Sequence, residues 1–330
     1  MKICLVGAGR IAEVHSKNIY NHKKITLKYV IDINFKAAKK IASKYNALPL
    51  SSIDEALDKN DFDSVLIASS TNTHVDFIKR FSNKGKNILC EKPIDLNIKK
   101  VDECIKTLKK NKTTFCVGFM RRFDPSLMKL KKLISKGKVG KIQMLSITAR
   151  DPIPPPINYI KSSGGIFLDS QIHDIDLARW LLEEEPIQVL ARGSCLINKK
   201  IGQSGDFDTA MTILKTQSGK LCQINNSRQT VYGYDQRVEV FGTKGMINTT
   251  NLRDTNLEIT THNSTNAKDN YQYFFLERYK EAFINELDNF FNIVQKKLKP
   301  TPSFDDGRLA MKVAIAATKS AKTNKIITIS

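Results

Sequence analysis

The chain opens with short apolar runs alternating with amphipathic segments. KICLVG, LKYVID, DSVLIAS, NILCEK and TFCVGF are apolar almost throughout. A strand covered on both faces has no solvent side and so lacks polar alternation. Between these runs, IAEVHSKNIY, FKAAKKIASKY, the stretch from His74 to Asn83 and IKKVDECIKTLKKN space their apolar residues as a helix with one buried face does. Strand and helix in alternation predict right-handed crossovers and a doubly wound parallel sheet, the Rossmann arrangement, over residues 1–120.

After Phe119 the rhythm changes. PSLMKLKKLIS predicts a helix and KIQMLSITAR a strand, followed by the proline turn DPIPPP. A helix is expected across GGIFLDSQIHDIDLARW, and then strand-like runs dominate: VLARGSCL, DTAMTILKT, KLCQINNSR and RVEVFGT. Many strands with few helices between them predict an open, largely antiparallel sheet with helices on one face. Tyr279, Phe283, Leu287, Phe291 and Val294 form a helical stripe, a second late helix runs from about Gly307 to Ala321, and IITI reads as a final strand. The expected fold is a Rossmann domain over 1–120 and an α+β domain over 121–330. The stripe marks a buried face without saying what covers it.

Composition changes this picture little. At 41% hydrophobic and 26% charged, the 330 residues are those of a globular protein. No apolar run approaches the roughly 20 residues that span a bilayer, and the run in MKICLVGAGRIAEV is too short for a signal peptide. A cytoplasmic protein is expected. The six cysteines form no C-x-x-C pair, and neither they nor the five histidines have a metal-ligand spacing, so no metal is expected. The net charge of +20 comes from dispersed lysines, such as Lys36, Lys39, Lys40 and Lys44 or Lys129, Lys131, Lys132 and Lys136, with no interleaved aromatic residues. That is a solvated surface, not a nucleic-acid or membrane face.

Candidate chemistry begins at the first turn. Gly7-Ala8-Gly9-Arg10-Ile11-Ala12 follows a strand and opens a helix, in the form G-x-G-x-x-A. Gly7 permits the tight turn, Gly9 admits a pyrophosphate to the backbone, and Ala12 allows close packing of helix on strand. Asp32 ends the second strand, where a carboxylate receives both ribose hydroxyls and repels a 2′-phosphate. NAD is therefore expected over NADP. Three more stretches fall at strand ends on the binding edge: SSTNTH (Ser69 to His74), CEKPID (Cys90 to Asp95) and GFMRRFDP (Gly118 to Pro125). Later, Asp169 and His173 stand four apart, one face of a helix, behind the flexible pair Gly164 and Gly165.

GAGRIA, TNTH, the EKP triplet, GFMRRFDP, GGIFLDSQIHDIDLARW and YGYDQRVEVFGTKG, in this order from residue 1 to about 250, resemble the Gfo/Idh/MocA oxidoreductase family. They are most similar to its inositol-oxidising members. The resemblance implies NAD-dependent oxidation of a cyclic polyol, myo-inositol first, with scyllo-inositol, glucose or an anhydro sugar as alternatives. It implies a catalytic set of Lys92, Asp169 and His173, and a homo-oligomer, tetramer or dimer. Around the cofactor it places Gly7, Gly9, Arg10, Ile11, Asp32, Ser69, Thr71, Asn72, His74, Glu91, Lys92, Arg121 and Arg122. Met120, Asp151, Tyr232 and Tyr234 would border the polyol with the catalytic three. The rival from another class is a dinucleotide-binding sensor without catalysis, which would have no use for Lys92, Asp169 and His173.

Overall fold

The computed structural model describes residues 1–329. Up to residue 123 the elements are β1 (Lys2–Val6), α1 (Arg10–Asn21), β2 (Thr26–Ile31), α2 (Phe35–Lys44), β3 (Leu48–Leu50), α3 (Ile53–Lys59), β4 (Ser64–Ile67), α4 (His74–Asn83), β5 (Asn87–Glu91), α5 (Ile98–Lys110) and β6 (Phe115–Gly118). Next come α6 (Pro125–Ser135), β7 (Ile142–Arg150), α7 (Ile157–Ser163), α8 (Gly165–Asp169), α9 (Ile172–Leu182), β8 (Pro186–Ser194), α10 (Lys199–Gln203), β9 (Thr209–Thr216), β10 (Leu221–Ser227), β11 (Asp235–Gly242) and β12 (Gly245–Thr249). The chain closes with β13 (Glu258–Thr261), β14 (Ser264–Lys268), α11 (Phe275–Arg278), α12 (Lys280–Lys296), α13 (Phe304–Thr323) and β15 (Ile327–Thr328). Among the described residues no helix is long and apolar enough to cross a membrane.

Two compact units result: residues 1–123 with 281–311, and residues 124–280 with 312–330. This corrects the contiguous division at residue 120. Leu287, Phe290 and Ile293 of α12 join Ile3, Leu5, Ile19, Ile25 and Val30 in one core cluster, so α12 belongs to the first unit. Each such buried side chain contributes about 1.5–3 kcal/mol. Phe291 and Val294, part of the expected stripe, are only partly buried against the same cluster.

The first unit has a fully parallel sheet in the order β3-β2-β1-β4-β5-β6. Its strands β4 and β6 bury every residue of SVLI and FCVG, as continuous apolar runs require. The order reverses between β1 and β4, which opens a crevice at their carboxyl ends.

The second unit has a seven-stranded sheet in the order β12-β11-β7-β10-β9-β8-β15. Only β7 and β10 pair in parallel. In β9 and β11 buried and exposed positions alternate, so one sheet face is covered and the other is open. Ten of the residues of α9 are buried, Asp174 and Asp176 among them. Both carboxylates are interior groups, 0% and 1% exposed.

Asp208, fully buried just before β9, pins the loop after β8. Its carboxylate accepts from the backbone N–H groups of Leu196 (2.9 Å), Ile197 (2.9 Å) and Asn198 (3.0 Å) and from the Thr209 hydroxyl (3.0 Å). Burial alone would raise its pKa, but these donors outweigh burial and hold it below the usual carboxylate range. Its stabilising effect is therefore complete above the unfolded carboxyl pKa of about 3.9 and is lost as pH falls towards the lower folded value. Asp208→Asn turns an amide donor on those N–H groups and should cost about 1–3 kcal/mol at neutral pH. Urea unfolding followed against pH should show the gap between the two proteins narrowing below about pH 4; a gap unchanged down to acid would contradict the assignment.

Candidate active site

At the crevice of the first unit, Gly7 has φ +105°, and a Cβ there would stand 2.4 Å from the Ala68 carbonyl oxygen. Only glycine fits. Gly9 is the N-cap of α1, makes no side-chain cap, and has nothing within 4 Å of where a Cβ would lie. A helix start uncapped and open to approach has free N–H groups that can receive a phosphate. Asp32 accepts from the Ala8 N–H through Oδ2 (2.8 Å) and from the Asn34 N–H through Oδ1 (2.8 Å), which holds the carboxylate beside the glycine turn. These residues fit a dinucleotide: an open turn for its pyrophosphate and a fixed carboxylate for a ribose.

The rest of this edge divides into exposed and embedded groups. Thr71 and Asn72 lie on a 3₁₀ turn before α4, and Ser69 Oγ pairs with Thr73 Oγ1 at 2.7 Å. His74, expected beside the cofactor, is 1% exposed. Its Nδ1 lies 2.9 Å from the Pro93 carbonyl and its Nε2 3.0 Å from that of Ser69. Burial holds the imidazole below its ordinary pKa, against the pull of the two carbonyls. The polar atoms of His74 thus brace the loop after β4 to the turn after β5. Glu91 likewise points inward, with Oε1 2.7 Å from His15 Nε2. Arg122 donates to Asp306 at 2.8 Å. His74, Glu91 and Arg122 thus each bond to groups of the protein itself. Lys92 is half-buried at the end of β5, and Met120 and Arg121 are buried in the 3₁₀ turn after β6.

In the second unit, the helix expected to carry Asp169 and His173 is two helices. Asp169 ends α8 and His173 is the second residue of α9. At the junction the Gln171 N–H reaches back to the Ile166 carbonyl at 2.8 Å, a wide turn in place of the regular ladder. Gly164 (φ +88°) and Gly165 (φ +83°) begin α8, and a Cβ on Gly165 would meet Asp206 Oδ1 at 2.7 Å. Asp206 receives the Ile166 N–H at 2.8 Å.

Asp169 is held from two sides. The Tyr159 hydroxyl donates to its Oδ1 at 2.8 Å, and Arg228 Nη1 lies 3.9 Å from its Oδ2. Arg228 is 1% exposed and also donates to Asp206 Oδ2 at 3.0 Å. Behind α9, Thr212 donates to Gln171 (2.9 Å), Gln171 to Asn226 (2.5 Å) and Asn226 to Asp174 (2.8 Å). This network fixes the start of α9, and with it His173, to the sheet. Tyr232 accepts from Arg150 at 2.9 Å and donates to Asp235 at 3.0 Å. Tyr234, expected at the polyol, is 4% exposed and edge-on to Tyr279, a core position. Asp151 is half-buried at the end of β7, its N–H bonded to the Ser227 carbonyl.

Sequence reading missed Tyr159, Asp206 and Arg228. Tyr159 sits in a stretch without a motif, and Arg228 directly follows β10 in a strand-like run without one. No local pattern announces either.

The profile of the oxidoreductase family with an NAD-binding Rossmann fold matches residues 1–119, and that of the GFO/IDH/MocA C-terminal domain matches residues 127–248. An inositol 2-dehydrogenase from Rhizobium meliloti is 44% identical over 98% of each chain. The crystal structure of a myo-inositol dehydrogenase from Corynebacterium glutamicum superposes with a TM-score of 0.96 at 38% identity, over 100% of this chain and 99% of that one. A scyllo-inositol dehydrogenase from Lactobacillus casei, solved with NAD(H) and scyllo-inositol, gives 0.93 at 27% identity, over 100% and 99%. With both profiles matched and such identity over nearly its whole length, the chain belongs to the Gfo/Idh/MocA family of NAD-binding oxidoreductases.

Proposed function

We propose that the protein oxidises myo-inositol to 2-keto-myo-inositol with NAD. The observation that carries this reading is the Asp169–His173 segment, a carboxylate fixed by Tyr159 and Arg228 just ahead of a buried imidazole. A polyhydroxylated ring needs oriented acceptors, and an alcohol to be oxidised needs a base of near-neutral pKa. The substrate is supported by the likeness to the Rhizobium meliloti enzyme.

Bound NAD supplies the hydride-accepting nicotinamide. His173 takes the proton of the reacting hydroxyl. Asp169 orients that hydroxyl or the imidazole and favours the imidazolium that forms. Lys92 stabilises the negative charge that develops on the oxygen. The Gly7–Gly9 turn receives the pyrophosphate and Asp32 the ribose. Purified protein should form NADH with myo-inositol faster than with scyllo-inositol or glucose, and faster with NAD than with NADP. A faster rate with scyllo-inositol would move the assignment to that isomer; NAD binding without oxidation of any polyol would move it to a sensor.

The protein acts as a homo-oligomer, tetramer or dimer, through the open face of its second sheet. Met246, Phe241, Met144 and Leu221 stand in register across four adjacent strands, and all are exposed. Ile213 and Met211 extend the patch. An apolar patch of this extent is normally covered by another surface. Light scattering should give a multiple of the single-chain mass for the wild type and the single-chain mass for Met144→Asp/Leu221→Asp; a monomeric wild type would refute this. The cytoplasm is supported by six cysteines that are all free.

A further inference from the structure

The first unit brings together three titratable side chains, two of them buried and one half-buried, that the chemistry above does not use. His15 on α1, Glu91 at the end of β5 and Glu286 on α12 bring their ring nitrogen and carboxylate oxygens within 4.8 Å of one another. His15 and Glu286 are 1% and 2% exposed. Neither Glu286 oxygen has a hydrogen bond to the protein.

A carboxyl group so placed needs a cation or a proton. His15 Nε2 and Glu91 Oε1 stand 2.7 Å apart. Two ligands of one tetrahedral zinc, each about 2.0–2.2 Å from the ion, stand roughly 3.3 Å or more apart. The spacing is that of a hydrogen bond, not of a shared ion. The proton is the answer the geometry favours: burial, and then the nearby Glu91 charge, push the Glu286 carboxyl well above the usual range. Protonated, the Glu286 carboxyl is neutral and packs within 4.8 Å of the Glu91–His15 pair without a hydrogen bond to it. On the other side, a Cβ at Gly118 would meet Glu91 Oε2 at 3.0 Å, so the glycine leaves the space that the Glu91 carboxylate occupies.

We propose that Glu286 is a positioning residue for the turn that carries Lys92, acting through a chain of packed side chains, Glu286, Glu91 and His15, of which the last two are hydrogen-bonded. Glu91 is the last residue of β5 and Lys92 follows it directly. The chain thereby holds the backbone next to Lys92 against α1, behind the glycine turn, and α12. This rests on the reading of Lys92 as the alkoxide-stabilising group.

The test compares Glu286→Gln, which keeps a neutral donor of the same shape, with Glu286→Leu, which removes it, in the full-length enzyme. Glu286→Leu should lower kcat about 10–100-fold with KM for polyol and Kd for NAD within about threefold, and Glu286→Gln should keep kcat within about threefold of wild type. A folded Glu286→Leu with wild-type kcat, or a Glu286→Gln as impaired as Glu286→Leu, overturns the proposal. So does stoichiometric zinc or manganese in the purified enzyme that Glu286→Gln loses. Should Glu286→Leu not fold, Glu91→Gln reads the same chain: a kcat loss of about tenfold or more at unchanged NAD affinity supports it, and unchanged kcat overturns it. Lys92→Met is assayed in parallel. Wild-type turnover there would sink the reading of Lys92 itself, whereas a dead Lys92→Met beside a fully active Glu286→Leu would sink only the role of Glu286.

Discussion

His173→Ala should lower turnover about 10²–10⁴-fold, the usual loss on removing a general base. NAD affinity should be unchanged, because the glycine turn and Asp32 belong to the other unit. His173 is 8% exposed, on a helix start fixed through Gln171, Asn226 and Asp174. Alanine fits this place without strain, so the loss would reflect chemistry rather than folding. In the wild type, kcat/KM should rise with pH through the imidazole titration, since the base must be unprotonated, and this limb should vanish in the variant. Steady-state kinetics against pH, with NAD binding followed by fluorescence, measures both. Wild-type turnover in His173→Ala would remove this residue from the mechanism.

The largest stability effect is expected at Arg228. Its guanidinium donates to Asp206 at 3.0 Å and, through Nε, to the Phe207 carbonyl at 3.3 Å, while Nη1 faces Asp169 at 3.9 Å. Arg228→Leu leaves two carboxylates in the interior without their counter-charge. Breaking a buried pair in this way costs about 3–5 kcal/mol, mainly the penalty of the charge left behind. Turnover should fall as well, because Asp169 loses one of the groups that aim it. Adding Asp206→Asn to Arg228→Leu removes one stranded charge and should recover part of the stability but not the activity. Denaturant midpoints for the single and double variants decide the matter; a loss below about 1 kcal/mol in Arg228→Leu would mean the pair is solvated and weak.

The local signals proved informative where the chemistry is local. The glycine turn, Asp32 and the D-x-x-x-H segment are short strings, and each needs only its neighbours to have meaning: a strand before, a helix after, a fixed spacing. The strands of the first sheet were legible for a similar reason, since burial on both faces writes an unbroken apolar run. The break between Asp169 and His173 was not, because Ser170 and Gln171 are compatible with a regular helix and it is packing onto Asn226 and Thr212 that opens the turn.

The sequence by itself determined the doubly wound sheet, the dinucleotide turn, the family and the identity of the acid–base candidates, because periodicity and contiguous motifs encode them. Tertiary structure alone decided what surrounds those candidates. Tyr159 and Arg228 reach Asp169 from other elements, His74 and Glu91 turn inward, and α12 brings Glu286 to the end of β5. An amphipathic stripe specifies that a helix buries one face but not which face of the fold receives it. A charged residue in a strand specifies a charge but not its partner. Those choices depend on contacts between residues far apart in the chain, and they exist only once the chain has closed on itself.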